Sequence, residues 1–474
     1  MIASLEQPLP TDAARRPARL ALRRSRPEVL RAPLGLCCAA LGFFCFMPYP
    51  ALAIGNSSAL QIGNVLVLAM GAGALMTSWK GGPFWLFPLL VAPLCVSAAK
   101  VATTGQTGLD VCLKALVVWG LSAMTVLAAQ LYARRYALQL MTGIAVATLV
   151  HVAVGALQLY SFRDGEFPLA GLYANPSFLS VQDNASIIAR YVRRPFGVFP
   201  EPSAMSASLA PWVVFWFALT CGIVRLWQRP ATWQRVLFAA AAVGGLGLII
   251  VSRSGHAAVT AAAVVAFTVI WFARARATGR SYAAVLSVFA LFLPVLLYFA
   301  AVSVGDRLGG KSELGNSSWA ERASSLKAGF DLVASSDTST AVFGAGVGLM
   351  SPALQSTHGL DAVFSVLLTY VFETGLVGAL VVAWVGCFLL RVWSRTRFDL
   401  AFAAIGIVWL VGITLTTSYE QLLPLWLTLG WLSVWPAVCK PNGAEDEQCL
   451  TRRDVVWLPR SRRPAARAAG GAGV

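Results

Sequence analysis

Apolar runs long enough to cross a lipid bilayer follow one another along this chain, with hardly a charge inside them. A bilayer core about 30 Å thick takes roughly 20 apolar residues per helix. That rule predicts spans at 33–54, 58–78, 83–103, 109–133, 140–161, 203–225, 236–251, 256–274, 282–303, 362–391, 399–419 and 421–438. The 236–251 run is short for the rule, 83–103 contains Lys100, and the last two runs share one apolar stretch. Only 12% of the residues are charged against 57% hydrophobic. A soluble globular domain carries about 25% charged residues, so a soluble enzyme, a disordered chain and a disulfide scaffold are excluded. The expected fold is an all-α polytopic integral membrane protein of about 12 transmembrane helices.

Charge distribution sets the orientation. The chain has 37 Lys+Arg against 21 Asp+Glu, a net charge of +16. Nucleic-acid binders gather basic residues on a water-soluble face; here they lie between apolar runs, so no nucleic-acid partner is expected. Twenty-six lie on the side of the amino terminus and nine on the other, with Lys100 and Lys114 within or near spans. Excess Lys/Arg marks the cytoplasmic side, which places both termini inside. The organisation expected is a basic cytoplasmic arm (1–32), spans 1–5 (33–161), a first long periplasmic loop (162–202), spans 6–9 (203–303), a second long periplasmic loop (304–361), spans 10–12 (362–438) and a disordered cytoplasmic tail (439–474).

Arg23-Arg24 ahead of an apolar run and Ala51-Leu52-Ala53 offer weak export-signal features. With so many spans following, an uncleaved first span is expected. Seven of the nine cysteines fall inside predicted spans, and Cys439 and Cys449 in the tail. None lies in an outward loop, so no disulfide is expected. No C-x-x-C spacing occurs.

The polar residues are concentrated outside the spans. Helix connections in compact bundles run about 2–8 residues, and much longer ones are usually functional. Segments 162–202 and 304–361 exceed that and hold most of the outward charge. A tight turn, Ser252-Arg253-Ser254-Gly255-His256, holds an arginine between two spans, where a charge is costly. Nucleotide-activated donors are absent outside the inner membrane, so group transfer there requires a lipid-carried donor such as a lipid pyrophosphate. Arginine suits that leaving group, because its planar fork binds phosphate bidentately and stays charged. Arginines at a membrane surface also bind anionic lipid headgroups.

Four elements carry a family resemblance. Arg193-Arg194-Pro195-Phe196-Gly197-Val198-Phe199-Pro200-Glu201-Pro202-Ser203 resembles the R-x-x-G-x-F-x-E-P-S stretch of Wzy-type polysaccharide polymerases. Ser252-Arg253-Ser254-Gly255 resembles the S-x-R/S-R-G turn of the O-antigen ligase and polymerase superfamily. Phe343-Gly344-Ala345-Gly346-Val347-Gly348 resembles its G-x-G-x-G segment, and Phe372-Glu373-Thr374-Gly375-Leu376-Val377-Gly378 its E-x-G-L-x-G helix. Between these two lies His358, which Gly359 follows where ligases often have Asn. The spans before about 160 match nothing beyond hydropathy.

The resemblance implies a metal-independent membrane glycosyltransferase with no cofactor. It would polymerise undecaprenyl-pyrophosphate-linked repeat units into exopolysaccharide, capsule or O-antigen, beside a flippase and a chain-length regulator of the same pathway. The inner membrane is the expected location. No D-x-D occurs; Asp164-Gly165-Glu166 is the nearest approach and reads as a solvated charge pair.

Glu201 and His358 are the base candidates, and Arg194, Arg253, Arg193 and Arg322 the pyrophosphate-binding candidates. Glu201, between two prolines, equally suits a helix start, where its charge complements the dipole. His358 equally suits a solvated loop. The glycine spacing at 344–348 lacks the strand–turn–helix context of a nucleotide fold and predicts a close backbone approach to a sugar or a helix. Glu373 is expected to pair with something polar inside the bundle. Two other functions fit a chain of this kind. One is an O-antigen ligase or protein O-glycosylating transferase. The other is a polysaccharide or lipid-linked oligosaccharide transporter, which would show internal repeats and mid-membrane polar residues; no repeat is seen.

Overall fold

The computed structural model describes residues 31–48, 51–54, 58–78, 86–104, 109–164, 166–169, 194–277, 313–360, 362–396, 399–415 and 422–440. Helices dominate. In chain order they are α1 (Arg31–Cys45), α2 (Ile62–Ser78), α3 (Leu86–Thr104), α4 (Leu109–Ser161), α5 (Pro202–Thr220), α6 (Thr232–Val251), α7 (Gly255–Ala277), α8 (Glu313–Ala334), α9 (Thr338–Phe343), α10 (Met350–His358), α11 (Val366–Arg395), α12 (Leu400–Leu415), α13 (Leu423–Ser433) and α14 (Trp435–Val438). Among the described residues five helices (α3, α4, α5, α6 and α11) are long and apolar enough to cross a membrane, and five further apolar segments run 10–17 residues. The chain is a helical membrane protein. Residues 1–30 of the predicted basic arm, 170–193 of the first predicted loop, most of the tail and the 282–303 span lie outside the described residues.

Several boundaries differ from the hydropathy reading, each for a local reason. The first run stops being helical at Cys45, just before Pro48 and Pro50, which cannot donate to a helix. Beyond them β1 (Ala51–Ile54) pairs antiparallel with β2 (Ser58–Gln61). The short 236–251 run gains a polar first turn and becomes a helix of 20 residues from Thr232. The last run breaks at Val434, where the backbone leaves helical geometry (φ −112°) just ahead of Pro436. Segment 313–360, expected as loop, is largely helical: α8 and α10 pack a small core of Ala328, Met350 and Leu354 against Val363, Leu368 and Phe372.

The predicted fourth and fifth spans form one element, α4, of 53 residues interrupted at Tyr136 (φ −124°, ψ 33°). Unbroken, it would run about 80 Å, far beyond a bilayer's thickness; the interruption divides it into two span-length segments. The second segment lies along α1 so closely that a Cβ at Gly143 would stand 1.9 Å from the Ala39 carbonyl oxygen. Small residues permit such approach, which matters where lipid removes the hydrophobic drive and packing must hold helices together.

Helix α5 is the axis of the bundle. Every residue from Ser203 to Ala218 is buried, and α6, α7, α12 and α13 surround it. Its aromatic face interlocks with α13 and α14: Trp212 and Trp431 centroids are 5.2 Å apart, Phe215 and Trp435 5.6 Å. At the carboxyl end of α5, β3 (Arg225–Leu226) pairs with β4 (Cys439–Lys440), so the predicted tail begins as a strand. The Trp227 indole there donates to the Pro436 carbonyl at 3.2 Å, and the Lys440 ammonium sits 5.5 Å over its ring. Gln228 reaches the Arg135 carbonyl at 3.0 Å. Arg135, Arg225 and Lys440 therefore share one end of the bundle, opposite the amino end of α5.

Candidate functional site

The segment entering α5 is irregular yet buried. Residues Pro195–Pro200 are enclosed, with Arg194 half-buried before them and Glu201 half-buried after. Phe196 stacks into a three-ring cluster with Phe162 and Phe167, at centroid distances of 6.2 and 5.8 Å. The backbone of 196–198 is held from α4 by His151 and Gln158. Glu201 is the cap residue of α5 in extended conformation, and its side chain takes no bond from the helix backbone. Instead its carboxylate accepts from the Ser203 hydroxyl.

One turn further along α5, Ser206 meets the tight turn between α6 and α7. Its hydroxyl lies 3.1 Å from that of Ser252, both buried. Ser252 gives its own proton to the Ile249 carbonyl at 2.7 Å, so Ser206 is the donor. This bond fixes the α6–α7 turn against the start of the helix that Glu201 caps. Next to Ser252, Arg253 is exposed and left-handed, with φ of 52°; a non-glycine residue there bears about 1–2 kcal/mol of strain. His256, in the first turn of α7, is fully buried. On α8, the Arg322 guanidinium packs 5.0 Å over the Phe364 ring.

Two of the predicted residues thus come to the amino end of α5 by a traceable route, Glu201 on α5 and Arg253 through Ser206 and Ser252; Arg322 stands on α8 against Phe364. Arg194 lies on the buried segment that delivers Glu201. Arg193 lies outside the described residues. His358 ends α10, exposed, and makes no side-chain hydrogen bond to a described residue. His256 was legible in the sequence only as the start of a span; no local signal marked its burial.

The glycine-rich segment serves a helix. Helix α11 is broken at Gly375 (φ 67°, ψ −153°), which frees carbonyls that a continuous helix would satisfy. Ala345 N–H donates to the Phe372 carbonyl at 2.9 Å and Gly346 N–H to that of Glu373 at 3.4 Å. The Ser97 hydroxyl adds a 2.5 Å bond to the Glu373 carbonyl, and the Lys100 ammonium donates to the Gly344 carbonyl at 2.7 Å. Of the two readings of this spacing, sugar or helix, the amides of Ala345 and Gly346 are engaged by the helix. The buried Glu373 finds its polar partner in the Trp119 indole, which donates to its carboxylate at 3.3 Å.

An almost wholly apolar crevice of about 440 Å³ opens between α11, α12, α13 and the first halves of α3 and α4. Leu90, Trp119, Val382, Leu389, Ile407 and Trp426 line it. Set against known proteins, the chain matches no family model, no curated protein and no solved structure.

Proposed function

We propose that the protein is a membrane glycosyltransferase that polymerises undecaprenyl-pyrophosphate-linked oligosaccharide units at the periplasmic face of the bacterial inner membrane. The observation that supports this reading is the placement of Glu201 and Arg253 at the amino end of a buried central helix. The opposite end bears Arg135, Arg225 and Lys440. Twenty-six Lys/Arg lie on the side of the termini and nine on the other; excess basic residues mark a cytoplasmic surface, which supports reading the first end as the periplasmic one. About twelve spans, with both termini cytoplasmic and 162–202 and 304–361 outside, complete the arrangement.

In this reading the acceptor hydroxyl of an incoming lipid-linked unit attacks the anomeric carbon of the growing chain. The new C–O bond forms as the bond to the pyrophosphate oxygen breaks, and the hydroxyl proton passes to a carboxylate or imidazole base. Undecaprenyl pyrophosphate departs with the electron pair, and the anomeric configuration inverts. Arg253, Arg322, Arg194 and Arg193 offset the charge growing on the leaving group. Glu201 shares the α5 end with Arg253 and is favoured as base over His358. The apolar crevice against α11 suits a polyprenyl tail, whose isoprene units need only an apolar wall. It draws more on the carboxyl-terminal helices than on the first half of the chain.

Deletion of the gene tests the reading. Single lipid-linked repeat units with no long chains are expected. Accumulation of long lipid-linked polymer that never reaches its acceptor would replace polymerase by ligase, and unchanged glycans would end both.

A further inference from the structure

Two polar side chains on α4 have no part in the chemistry above. His151 and Gln158 are seven residues apart, two helical turns, and so share one face. Both are wholly buried in an otherwise apolar span, where an unpaired polar group is expensive. Both engage the same target.

Gln158 holds the backbone on both sides of Gly197. Its Oε1 accepts from Phe196 N–H at 2.9 Å and from Gly197 N–H at 3.0 Å, while its Nε2 donates to the Gly197 carbonyl at 2.9 Å. His151 takes the next amide: Val198 N–H donates to Nδ1 at 3.0 Å. A ring nitrogen that accepts carries no proton, so the proton sits on Nε2, which donates to the Phe46 carbonyl of the α1 carboxyl end at 2.7 Å. The His151 ring also lies stacked on Phe199, centroids 4.7 Å apart and planes 28° from parallel. Gly197 is left-handed at φ 57°, and a Cβ there would stand 2.7 Å from His151 Nδ1. Three consecutive amides of a buried, irregular segment are therefore satisfied by side chains of another helix. Left bare, each would cost about 1–3 kcal/mol.

We propose that Gln158 and His151 are positioning residues: a backbone clamp on Phe196, Gly197 and Val198 that sets where Arg194 and Glu201 stand at the amino end of α5. The functional half of this proposal rests on the glycosyltransferase reading; the clamp itself does not. Arg194 lies two residues before the clamped peptides and Glu201 three after them. A shift of the segment moves the phosphate-binding and base candidates together.

The test uses the full-length protein in nanodiscs and the same variants in a deletion strain. Gln158→Leu keeps volume and removes all three of its bonds. His151→Phe keeps the stack on Phe199 and removes both nitrogens. Hydrogen exchange followed on peptides spanning 194–201 is expected to speed at least tenfold at Phe196 and Gly197 in the first variant and at Val198 in the second. Exchange elsewhere in α5 is expected to stay unchanged. At matched protein level both variants are expected to lose polymer at least tenfold. Gln158→Glu, which when protonated keeps an acceptor and a donor, is expected to restore polymer in acidic medium and lose it as pH rises. A space-filling role would show no such profile. If Gln158→Leu fails to accumulate, Gln158→Glu carries the exchange test across pH. Unchanged exchange at 196–198 overturns the clamp. Accelerated exchange with full polymer yield overturns its positioning role. Unaltered glycans in the deletion strain itself would instead remove the glycosyltransferase reading, with the exchange result still deciding the clamp.

Discussion

Gly344 and Gly375 face one another with no room for a methyl group on either: a Cβ on Gly375 would stand 2.5 Å from the Gly344 amide nitrogen, and one on Gly344 2.0 Å from the Glu373 carbonyl oxygen. Both have positive φ, 85° and 67° respectively. Steric overlap and backbone strain act together at this contact. Gly344→Ala and Gly375→Ala are each expected to destabilise the protein by about 2–4 kcal/mol. Thermal unfolding of the purified protein, followed by tryptophan fluorescence, reads the loss directly. A melting temperature within a degree of wild type in both variants would contradict the packing described here.

Arg253 separates stability from function. Its left-handed backbone favours glycine, so Arg253→Gly is expected to gain about 1 kcal/mol of stability while abolishing polymer. Arg253→Lys and Arg322→Lys keep the charge but lose the planar fork, and a yield at least tenfold below wild type is expected for each. Full activity in Arg253→Lys would dismiss bidentate phosphate binding at that residue.

The two base candidates are separable by substitution. A positioned base is worth about 10²–10⁴-fold, and Glu201 shares the α5 end with Arg253 while His358 stands exposed on α10. Glu201→Gln is expected to remove nearly all polymer and His358→Ala to leave most of it, as read from chain-length distributions on gels. The reverse result would transfer the base to His358.

Topology is open to chemical labelling. In a cysteine-free background, cysteine at Ser317 is expected to react with a membrane-impermeant maleimide in intact cells, and cysteine at Thr278 only after lysis. Labelling of Thr278 in intact cells would invert the orientation.

Hydropathy located most helices of this molecule because bilayer thickness imposes a length that composition alone reveals. It misplaced the ends wherever a local group intervened: the prolines after Phe46, the polar turn at Thr232, the break at Val434. Helical structure in 313–360 escaped it because α8 and α10 bury only a narrow apolar stripe. Glu201 and Arg253 were legible as residue types in short motifs. Their route to one another was not, since the Ser206–Ser252 bond is a tertiary fact. His151 and Gln158 stood in the sequence as isolated polar residues in an apolar run; nothing local said that they bind a segment some forty residues later.

The break in α11 has a mechanical consequence. A continuous helix would offer the carbonyls of Phe372 and Glu373 their own amides; here Ala345 and Gly346 supply them from another part of the chain. Withdrawing the glycine segment would leave the Phe372 carbonyl bare in a medium without water, at several kcal/mol, while the Ser97 hydroxyl would still hold that of Glu373. The 344–348 segment is therefore tied to α11, and through it to a wall of the apolar crevice.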